Sequence, residues 1–415
     1  METIVNLQED RSMKMANESL SRTAEWINLF GGRLAGSNGC KKTAEKLGRE
    51  FKEICGNAKI EKFFARPSAF GNFLQIYAVL YLMGVLLLLV GQPLLAALVL
   101  TFNFVASSLQ FGFYLAIYDW LYPRAECQNV SAVLEPRGEV TRQLIFSAHH
   151  DAAREFKFLR GNQKWYGLKI LIPDVFCMLG CLVAWIQWSS QIFSFQLPGF
   201  IGLSNFVLSI GVFLVFTKFS LFTDNVSPGA GDNLIAATML VELAKHFHDP
   251  AQSGRSTLQH TRVIFASFDA EEAGLRGSRA WVREHQQELQ NVPTFALNID
   301  NIYNLKDLRF LVSDLNDHIL LDRDLVNRCL RIAKDLGYPS NTTNMPFGGG
   351  GTDAAELTRA GVRATTMLAM PTSLVRDDMV YHTLRDTVDK IEIEAVSACL
   401  KVAEKLAFEI DAEIL

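Results

Sequence analysis

Residues 143–151 read QLIFSAHHD, and the change from apolar to polar within this stretch decides the fold. Its first six residues form a short apolar run, which is typical of a strand buried on both faces of a parallel sheet. The last three residues add two imidazoles and a carboxylate directly after the strand. Because sites in open parallel sheets form just beyond the carboxyl ends of the strands, the stretch predicts a sheet and the edge that carries a site.

Further apolar runs along the chain end in polar groups in the same way. Strands are predicted at 262–268, 294–299 and 362–370, and each is followed by acidic or imidazole side chains. Additional strands are predicted at 59–64, 129–134 and 308–312, and helices at 20–30, 41–54, 233–247, 323–336 and 392–410. The alternation predicts an α/β domain with a mostly parallel central sheet flanked by helices.

Two long stretches interrupt this α/β pattern and lack Asp, Glu, Lys and Arg altogether. They are residues 67–118 and 175–217, which are 52 and 43 residues long. Since a membrane-spanning helix needs about 20 apolar residues, each stretch accommodates two spans, and Gly91-Gln92-Pro93 supplies a break in the first. We therefore predict four transmembrane α-helices in two hairpins, with spans near 73–90, 94–118, 170–188 and 199–222.

The hairpins divide the rest of the chain into three parts of one domain. The predicted parts are 1–66, 123–167 and 223–415, and the hairpins occupy 67–122 and 168–222. Basic residues flank the open ends of both hairpins, namely Lys62, Arg66, Arg124, Lys157, Arg160, Lys164, Lys169 and Lys218. The positive-inside rule then predicts an integral, multi-pass membrane protein whose α/β domain and both termini are cytoplasmic.

The composition excludes several classes of protein. The chain has 415 residues with 44 acidic and 40 basic side chains, and this near balance argues against a nucleic-acid partner. Its seven cysteines are scattered and form no CxxC pair, so neither a disulfide framework nor a structural zinc site is expected.

The polar groups at the predicted strand ends and turns are imidazoles and carboxylates without thiolates. In chain order they are His149, Asp232, Glu271-Glu272, Asp300 and His382. This donor set suits zinc, manganese or cobalt in a hydrolytic site. A single such residue is more often a helix cap or a surface group, so the prediction depends on the whole series.

Seven motifs, which include these residues and follow one another along the chain, resemble motifs of the M28 family of zinc peptidases. They are RLAGS at 33–37, AHHD at 148–151, GAGDN at 229–233, EEAGLRGS at 271–278, NID at 298–300, TDAAEL at 352–357 followed by AGV at 360–362, and YHTLRDT at 381–387. The resemblance covers nearly all of the chain outside the hairpins. It implies the zinc-aminopeptidase-like fold in a membrane-embedded variant with two hairpin insertions, although Thr352-Asp353 departs from the family's usual Ser-Asp-His.

The resemblance also implies a ligand set. His149 and Asp300 would hold one Zn²⁺, Glu272 and His382 would hold a second, and Asp232 would bridge the two. Mn²⁺ or Co²⁺ could substitute for zinc, since all three accept these ligands.

Catalytic roles follow from the same resemblance. Glu271 would act as the general base, and Asp151 would orient the imidazole of His149. Asp353, Tyr381 and Asp386 are candidates for supporting the ligands or contacting the substrate. The implied enzyme is a membrane-anchored dinuclear zinc metallopeptidase, an aminopeptidase or dipeptidase that hydrolyses N-terminal peptide bonds.

Several alternatives stay open at the level of the sequence. A non-catalytic peptide-binding or receptor module would be expected to lack ligands, and a glutaminyl-cyclase-like acyltransferase needs only one zinc. A transporter is disfavoured because the spans carry almost no interior charge. Both hairpins leave the domain near the motifs, so we expect the lipid bilayer to lie near the cleft and apolar or membrane-derived peptides to be favoured. A homodimer is a further possibility.

Overall fold

A computed structural model describes residues 2–161, 163–196, 198–252, 254–346, 348–371 and 379–413, with side chains from residue 11 onward. Its strands are β1 Lys59–Ala65, β2 Ala125–Leu134, β3 Arg142–His149, β4 Arg154–Phe156, β5 Phe222–Val226, β6 Thr261–Phe268, β7 Thr294–Ile302, β8 Leu308–Asp314, β9 Ile319–Leu320, β10 Asn341–Asn344 and β11 Arg363–Ala369. Its α-helices are α1 Glu2–Phe30, α2 Asn38–Cys55, α3 Pro67–Leu89, α4 Pro93–Ser107, α5 Tyr166–Phe193, α6 Phe200–Phe216, α7 Ile235–Phe247, α8 Arg276–Gln290, α9 Arg323–Asp335, α10 Asp353–Arg359 and α11 Ile393–Asp411.

The central sheet has the strand order β1-β2-β6-β3-β7-β11-β8-β10, with β9 paired to β8. Its four middle strands, β6, β3, β7 and β11, are parallel neighbours. Antiparallel pairing joins β1 to β2, β2 to β6, and β8 to β11. The predicted α/β class with a sheet flanked by helices is confirmed, and the parallel strands all end at one edge.

Burial on both faces explains the run of apolar residues in the middle of β3. Leu144, Phe146 and Ala148 pack into a core with helices α1, α2, α7, α9 and α11, whereas Ile145 faces a second core with α8 and α10. Because successive side chains of a strand point to opposite faces, a strand covered on both sides has consecutive apolar residues instead of an apolar–polar alternation.

Helices α3 to α6 form a four-helix bundle, in which α3 contacts α4 and α6, and α5 contacts α4 and α6. Gly84 permits the close approach of α3 and α4, since a Cβ there would lie 2.4 Å from Leu100 Cγ. The outer surface of the bundle is apolar, with Phe102 57% and Phe213 78% exposed. Four helical segments are long and apolar enough to cross a membrane, Pro67–Leu89, Pro93–Gly112, Gln163–Phe193 and Phe200–Ser220.

The second span ends earlier than its uncharged sequence predicted. The helical segment stops at Gly112, and Tyr114 takes a left-handed conformation with φ of 55°. The carbonyl of Tyr114 accepts hydrogen bonds from Arg276 Nη1 at 2.7 Å and Arg279 Nη1 at 3.0 Å. The residues after 112 therefore leave the bundle and attach to the α/β domain.

A polar contact ties the two hairpins together inside the bundle. Lys218 Nζ lies 2.6 Å from Asp174 Oδ1, and the Tyr77 hydroxyl donates to the same oxygen at 3.0 Å. Lys218 is buried despite its charge, so its pairing with Asp174 offsets part of the cost of removing it from water.

Candidate metal centre

His149, the last residue of β3, directs its Nε2 atom toward three carboxylates. The distances are 3.3 Å to Asp232 Oδ1, 3.5 Å to Asp300 Oδ1 and 3.9 Å to Glu271 Oε2. Asp300 comes from β7, the parallel neighbour of β3, so the sheet register brings the two side chains to one edge.

His382 occupies the opposite side of Asp232. Its Nε2 atom lies 3.0 Å from Asp232 Oδ2 and 3.2 Å from Glu272 Oε1. The backbone carbonyl of His382 accepts a 2.9 Å hydrogen bond from the N–H of Phe156, whose ring centroid is 4.3 Å from the imidazole. Asp232 thus offers one oxygen to each imidazole, which is the arrangement expected of a bridging carboxylate.

The turn that carries Asp232 is held by backbone contacts. A Cβ on Gly231 would lie 2.1 Å from the ring of Tyr303, so only glycine fits there. Asp386 accepts hydrogen bonds from the N–H groups of Gly231 at 2.8 Å and Asp232 at 3.3 Å. These contacts indicate that Asp386 positions the turn.

Asp151 has a similar positioning role on the other side. Its two oxygens accept hydrogen bonds from the N–H groups of Glu271 and Glu272, both at 3.2 Å, and Oδ1 lies 3.3 Å from His149 Nδ1. One buried carboxylate therefore fixes both an imidazole and the two consecutive glutamates.

Arg33, from the RLAGS element, links two of these loops. Its guanidinium is buried and donates to the carbonyl of His150 at 3.1 Å and the carbonyl of Gly229 at 2.8 Å. Its own carbonyl accepts from the N–H of Ala152. The strand end at His149 and the turn before Asp232 are consequently held in register by one side chain.

The electrostatics of the cluster reflect an excess of buried acids. Burial raises the pKa of Glu272 to about 7, against the opposing charge of His382. Burial, together with repulsion from Glu272 and Asp353, raises the pKa of Glu271 well above its ordinary value. Burial disfavours a charged imidazole, but Glu272 and Asp232 outweigh it and raise the pKa of His382 to about 10. The cluster thus favours any added positive charge.

The residues present fit a pair of divalent metal ions. Ligand atoms of His149, Asp232 and Glu272 lie within 4.8 Å of one another, as do those of His149, Glu271 and Asp300. Asp232 Oδ2 is buried and faces the imidazole nitrogen of His382 at 3.0 Å. Three carboxylates and two neutral imidazoles match the preferences of zinc.

The structure brings every sequence-predicted ligand to this cluster, and it places the remaining candidates around it. Asp353 is fully buried, and its charge raises the pKa of Glu271. Tyr381 stacks on His382 with 3.6 Å between ring centroids and lines the adjacent cavity.

The walls of that cavity could not be predicted from the sequence. It measures about 350 Å³ and is bordered by Glu271, Glu272 and His382 on the metal side. Aromatic residues from the hairpins form its other walls, chiefly Phe70, Phe111, Tyr114, Tyr166 and Phe222. The sequence signal for these residues was only that both hairpins leave the domain close to the motifs.

A third group of potential ligands, Cys40, His150 and Asp269, lies close together and is fully buried. The carboxylate of Asp269 already accepts hydrogen bonds from the N–H groups of Gly36 at 3.2 Å and Gln128 at 2.9 Å. These bonds attach the RLAGS element to the sheet, so a packing role accounts for the group.

Comparison with known proteins agrees with the geometry. Residues 217–407 match the model of the family described as "Peptidase family M28". The predicted family is confirmed, and with it the prediction of a peptidase-type hydrolase.

Solved structures of M28-type fold cover the whole chain. The LapA aminopeptidase of Legionella pneumophila is 15% identical with a TM-score of 0.53, and the match covers 100% of this chain and 76% of LapA. A glutaminyl cyclase from Fimbriiglobus ruber is also 15% identical, with a TM-score of 0.52 and coverages of 98% and 95%. A leucine aminopeptidase precursor from Bacteroides thetaiotaomicron is 12% identical, with a TM-score of 0.54 and coverages of 96% and 97%. At these identities the likeness establishes the fold alone.

A curated relative matches a shorter stretch of this chain. The "Probable glutamate carboxypeptidase" of Arthroderma benhamiae is 39% identical over 72 residues. The match spans 17% of this chain and only 10% of the relative's length.

Replacement of Asp151 tests the support of the metal centre. An amide at this position offers only one acceptor oxygen for the two backbone N–H groups of Glu271 and Glu272. We expect Asp151→Asn to weaken zinc affinity about 10- to 100-fold, measured by competition with a chromophoric chelator. Asp389→Asn, at an exposed position, is the matched control and should bind zinc as the wild type does. An unchanged affinity in Asp151→Asn would refute the role given to Asp151.

Proposed function

We propose that the chain is a membrane-anchored dinuclear zinc metallopeptidase that removes residues from the amino terminus of peptides. The observation that carries the proposal is Asp232, whose two oxygens face His149 and His382 at 3.3 and 3.0 Å. His149 and Asp300 would hold one zinc, and Glu272 and His382 the other. Zinc ions bound there would polarise the scissile carbonyl and acidify the attacking water.

Glu271 is the residue we assign as general base. Its carboxylate lies at the metal side of the cavity, within the loop that also carries Glu272, where a carboxylate can accept a proton from a metal-bound water. As the water oxygen bonds to the carbonyl carbon, Glu271 takes the water proton. It then delivers that proton to the amine nitrogen as the C–N bond breaks. The products are a free amino acid and a shortened peptide.

The completeness of the ligand set weighs against the alternatives. A non-catalytic binding module would have no need for all five ligands and Glu271. A glutaminyl-cyclase-like acyltransferase requires one zinc, whereas His149 and Asp300 add ligands for a second. Fold likeness does not separate these activities, because aminopeptidases and glutaminyl cyclases both resemble the chain.

Replacement of Glu271 tests the catalytic proposal. Glu271→Gln keeps the shape of the side chain but removes the proton acceptor. We expect kcat for hydrolysis of Leu-Gly to fall about 10²- to 10⁴-fold while two zinc ions per chain are retained. Glu284→Gln, on the exposed face of α8, is the matched control and should leave kcat unchanged. Zinc-loaded wild-type protein no more active than Glu271→Gln would exclude the peptidase.

A dipeptidase is the second candidate, and Arg154 favours it. Arg154 lines the same cavity as Glu271, and its Nη1 atom donates to Asn72 Oδ1 at 3.2 Å. No carboxylate among the described residues lies within ion-pair distance of its guanidinium. An unpaired guanidinium beside the metal centre suits the terminal carboxylate of a dipeptide.

The variant Arg154→Ala distinguishes a dipeptidase from an aminopeptidase. If Arg154 binds a terminal carboxylate, KM for Leu-Gly should rise roughly tenfold or more, while KM for Leu-Gly amide stays constant. Arg283→Ala, an exposed position on α8, is the control and should change neither constant. Equal effects of Arg154→Ala on both substrates would favour the aminopeptidase.

The proposed location is a membrane with the α/β domain on the cytoplasmic side. Support comes from four apolar helices and from the basic residues at the open ends of the hairpins. Contact with the bilayer and a homodimer remain predictions.

The orientation is tested with epitope tags in intact cells. We expect a tag inserted at Gly91, the tip of the first hairpin, to be accessible from outside. A tag at the carboxyl terminus should become accessible only after permeabilisation. The reverse pattern would overturn the cytoplasmic placement.

A further inference from the structure

The cavity beside the metal centre lies where the bundle joins the α/β domain. All four open ends of the hairpins border it: Pro67 to Gly71 begin α3, Phe111 and Tyr114 follow α4, Tyr166 begins α5, and Phe222 follows α6. Trp120 and Trp165, at these same ends, are 72% and 56% exposed. Exposed tryptophans are typical of the membrane–water interface, so this end of the bundle has the character of an interface.

One wall of the cavity begins at the catalytic loop itself. Gly274, two residues after Glu272, has φ of +89°, and a Cβ there would lie 2.9 Å from the ring of Phe70. Phe70 stacks on Phe111 with 6.2 Å between centroids and meets Tyr114 edge-on at 4.7 Å. The three rings therefore form a wall that begins next to the loop carrying Glu271 and Glu272.

Hydrogen bonds to the α/β domain hold this wall in place. Asn316 Nδ2 donates to the carbonyls of Phe111 and Gly112, both at 3.1 Å. The carbonyl of Tyr114 accepts from Arg276 and Arg279. An aromatic wall fixed from two sides is preorganised for a ligand.

The opposite wall is aromatic as well. Phe156 contacts the imidazole of His382 at 4.3 Å between centroids and packs edge-on against Phe222 at 4.7 Å. Among the described residues that line the cavity, the acidic ones are Glu271 and Glu272, and both belong to the metal centre. Apart from Arg124 and Arg154, the walls are largely apolar, and they offer no carboxylate for a cationic side chain.

We propose that the two membrane hairpins build the pocket for the substrate's first side chain, and that this pocket selects large apolar residues. The proposal rests on the peptidase function proposed above. The residue that donates the scissile carbonyl would have its side chain next to the metals. The rings of Phe70 and Phe111 line the same cavity as Glu271 and Glu272, so we assign them to the pocket for that side chain. The hairpins then determine specificity in addition to anchoring the enzyme.

The test compares hydrolysis of Phe-Gly and Ala-Gly, which an aminopeptidase and a dipeptidase both cleave. For wild-type protein in detergent we expect kcat/KM for Phe-Gly to exceed that for Ala-Gly at least about tenfold. Phe111 is half-buried and faces the cavity, so Phe111→Ala should lower this ratio about tenfold. Phe102→Ala, at an outward position of α4, is the matched control and should keep the wild-type ratio and rates.

The outcomes separate the pocket from the peptidase function. Hydrolysis of both dipeptides at equal efficiency, or a ratio unchanged in Phe111→Ala, overturns the pocket and leaves the peptidase intact. Zinc-loaded protein that cleaves neither dipeptide overturns the peptidase and the pocket with it. Should Phe111→Ala fail to fold, Phe111→Leu keeps an apolar side chain and must still show a ratio below that of the wild type; an unchanged ratio refutes the pocket.

Discussion

The concentration of buried carboxylates around Asp232 is the constraint on which the rest of the structure depends. Asp232, Glu271, Glu272 and Asp300 all lie near His149 and are buried or nearly so. Burial, together with repulsion from neighbouring carboxylates, raises the pKa values of the two glutamates. Bringing so many acids together is costly in a low-dielectric interior, and divalent cations at the cluster would offset that cost.

The fold meets this constraint by supplying each ligand from a separate, rigid support. Parallel strands β3 and β7 present His149 and Asp300 at one edge of the sheet. Asp151, Asp386 and Arg33 then fix the intervening loops through hydrogen bonds to backbone groups. The same loops border the cavity that the hairpins close, so the proposed metal binding and substrate selection would share one set of supports.

Much of this arrangement could be predicted from the sequence, because its signals are local. A few consecutive residues are enough to recognise the apolar strand that ends at His149. The same holds for the two glutamates that follow β6. The cavity walls could not be predicted in the same way, since Asn316 and Phe111 are 205 positions apart and only tertiary packing joins them. The end of the second span at Gly112 was missed for a related reason: residues 113–118 are as uncharged as a helix in lipid, but distant arginines bind their backbone.

X-ray absorption at the zinc edge tests the central claim most directly, because it counts and locates the metals without depending on a substrate. We expect two zinc ions per chain, oxygen and nitrogen ligands without sulfur, and a zinc–zinc distance of about 3.5–4 Å. Asp232→Ala should abolish the zinc–zinc signal. A single zinc per chain, or zinc bound by cysteine sulfur, would contradict the bridging role of Asp232 and the two-metal centre.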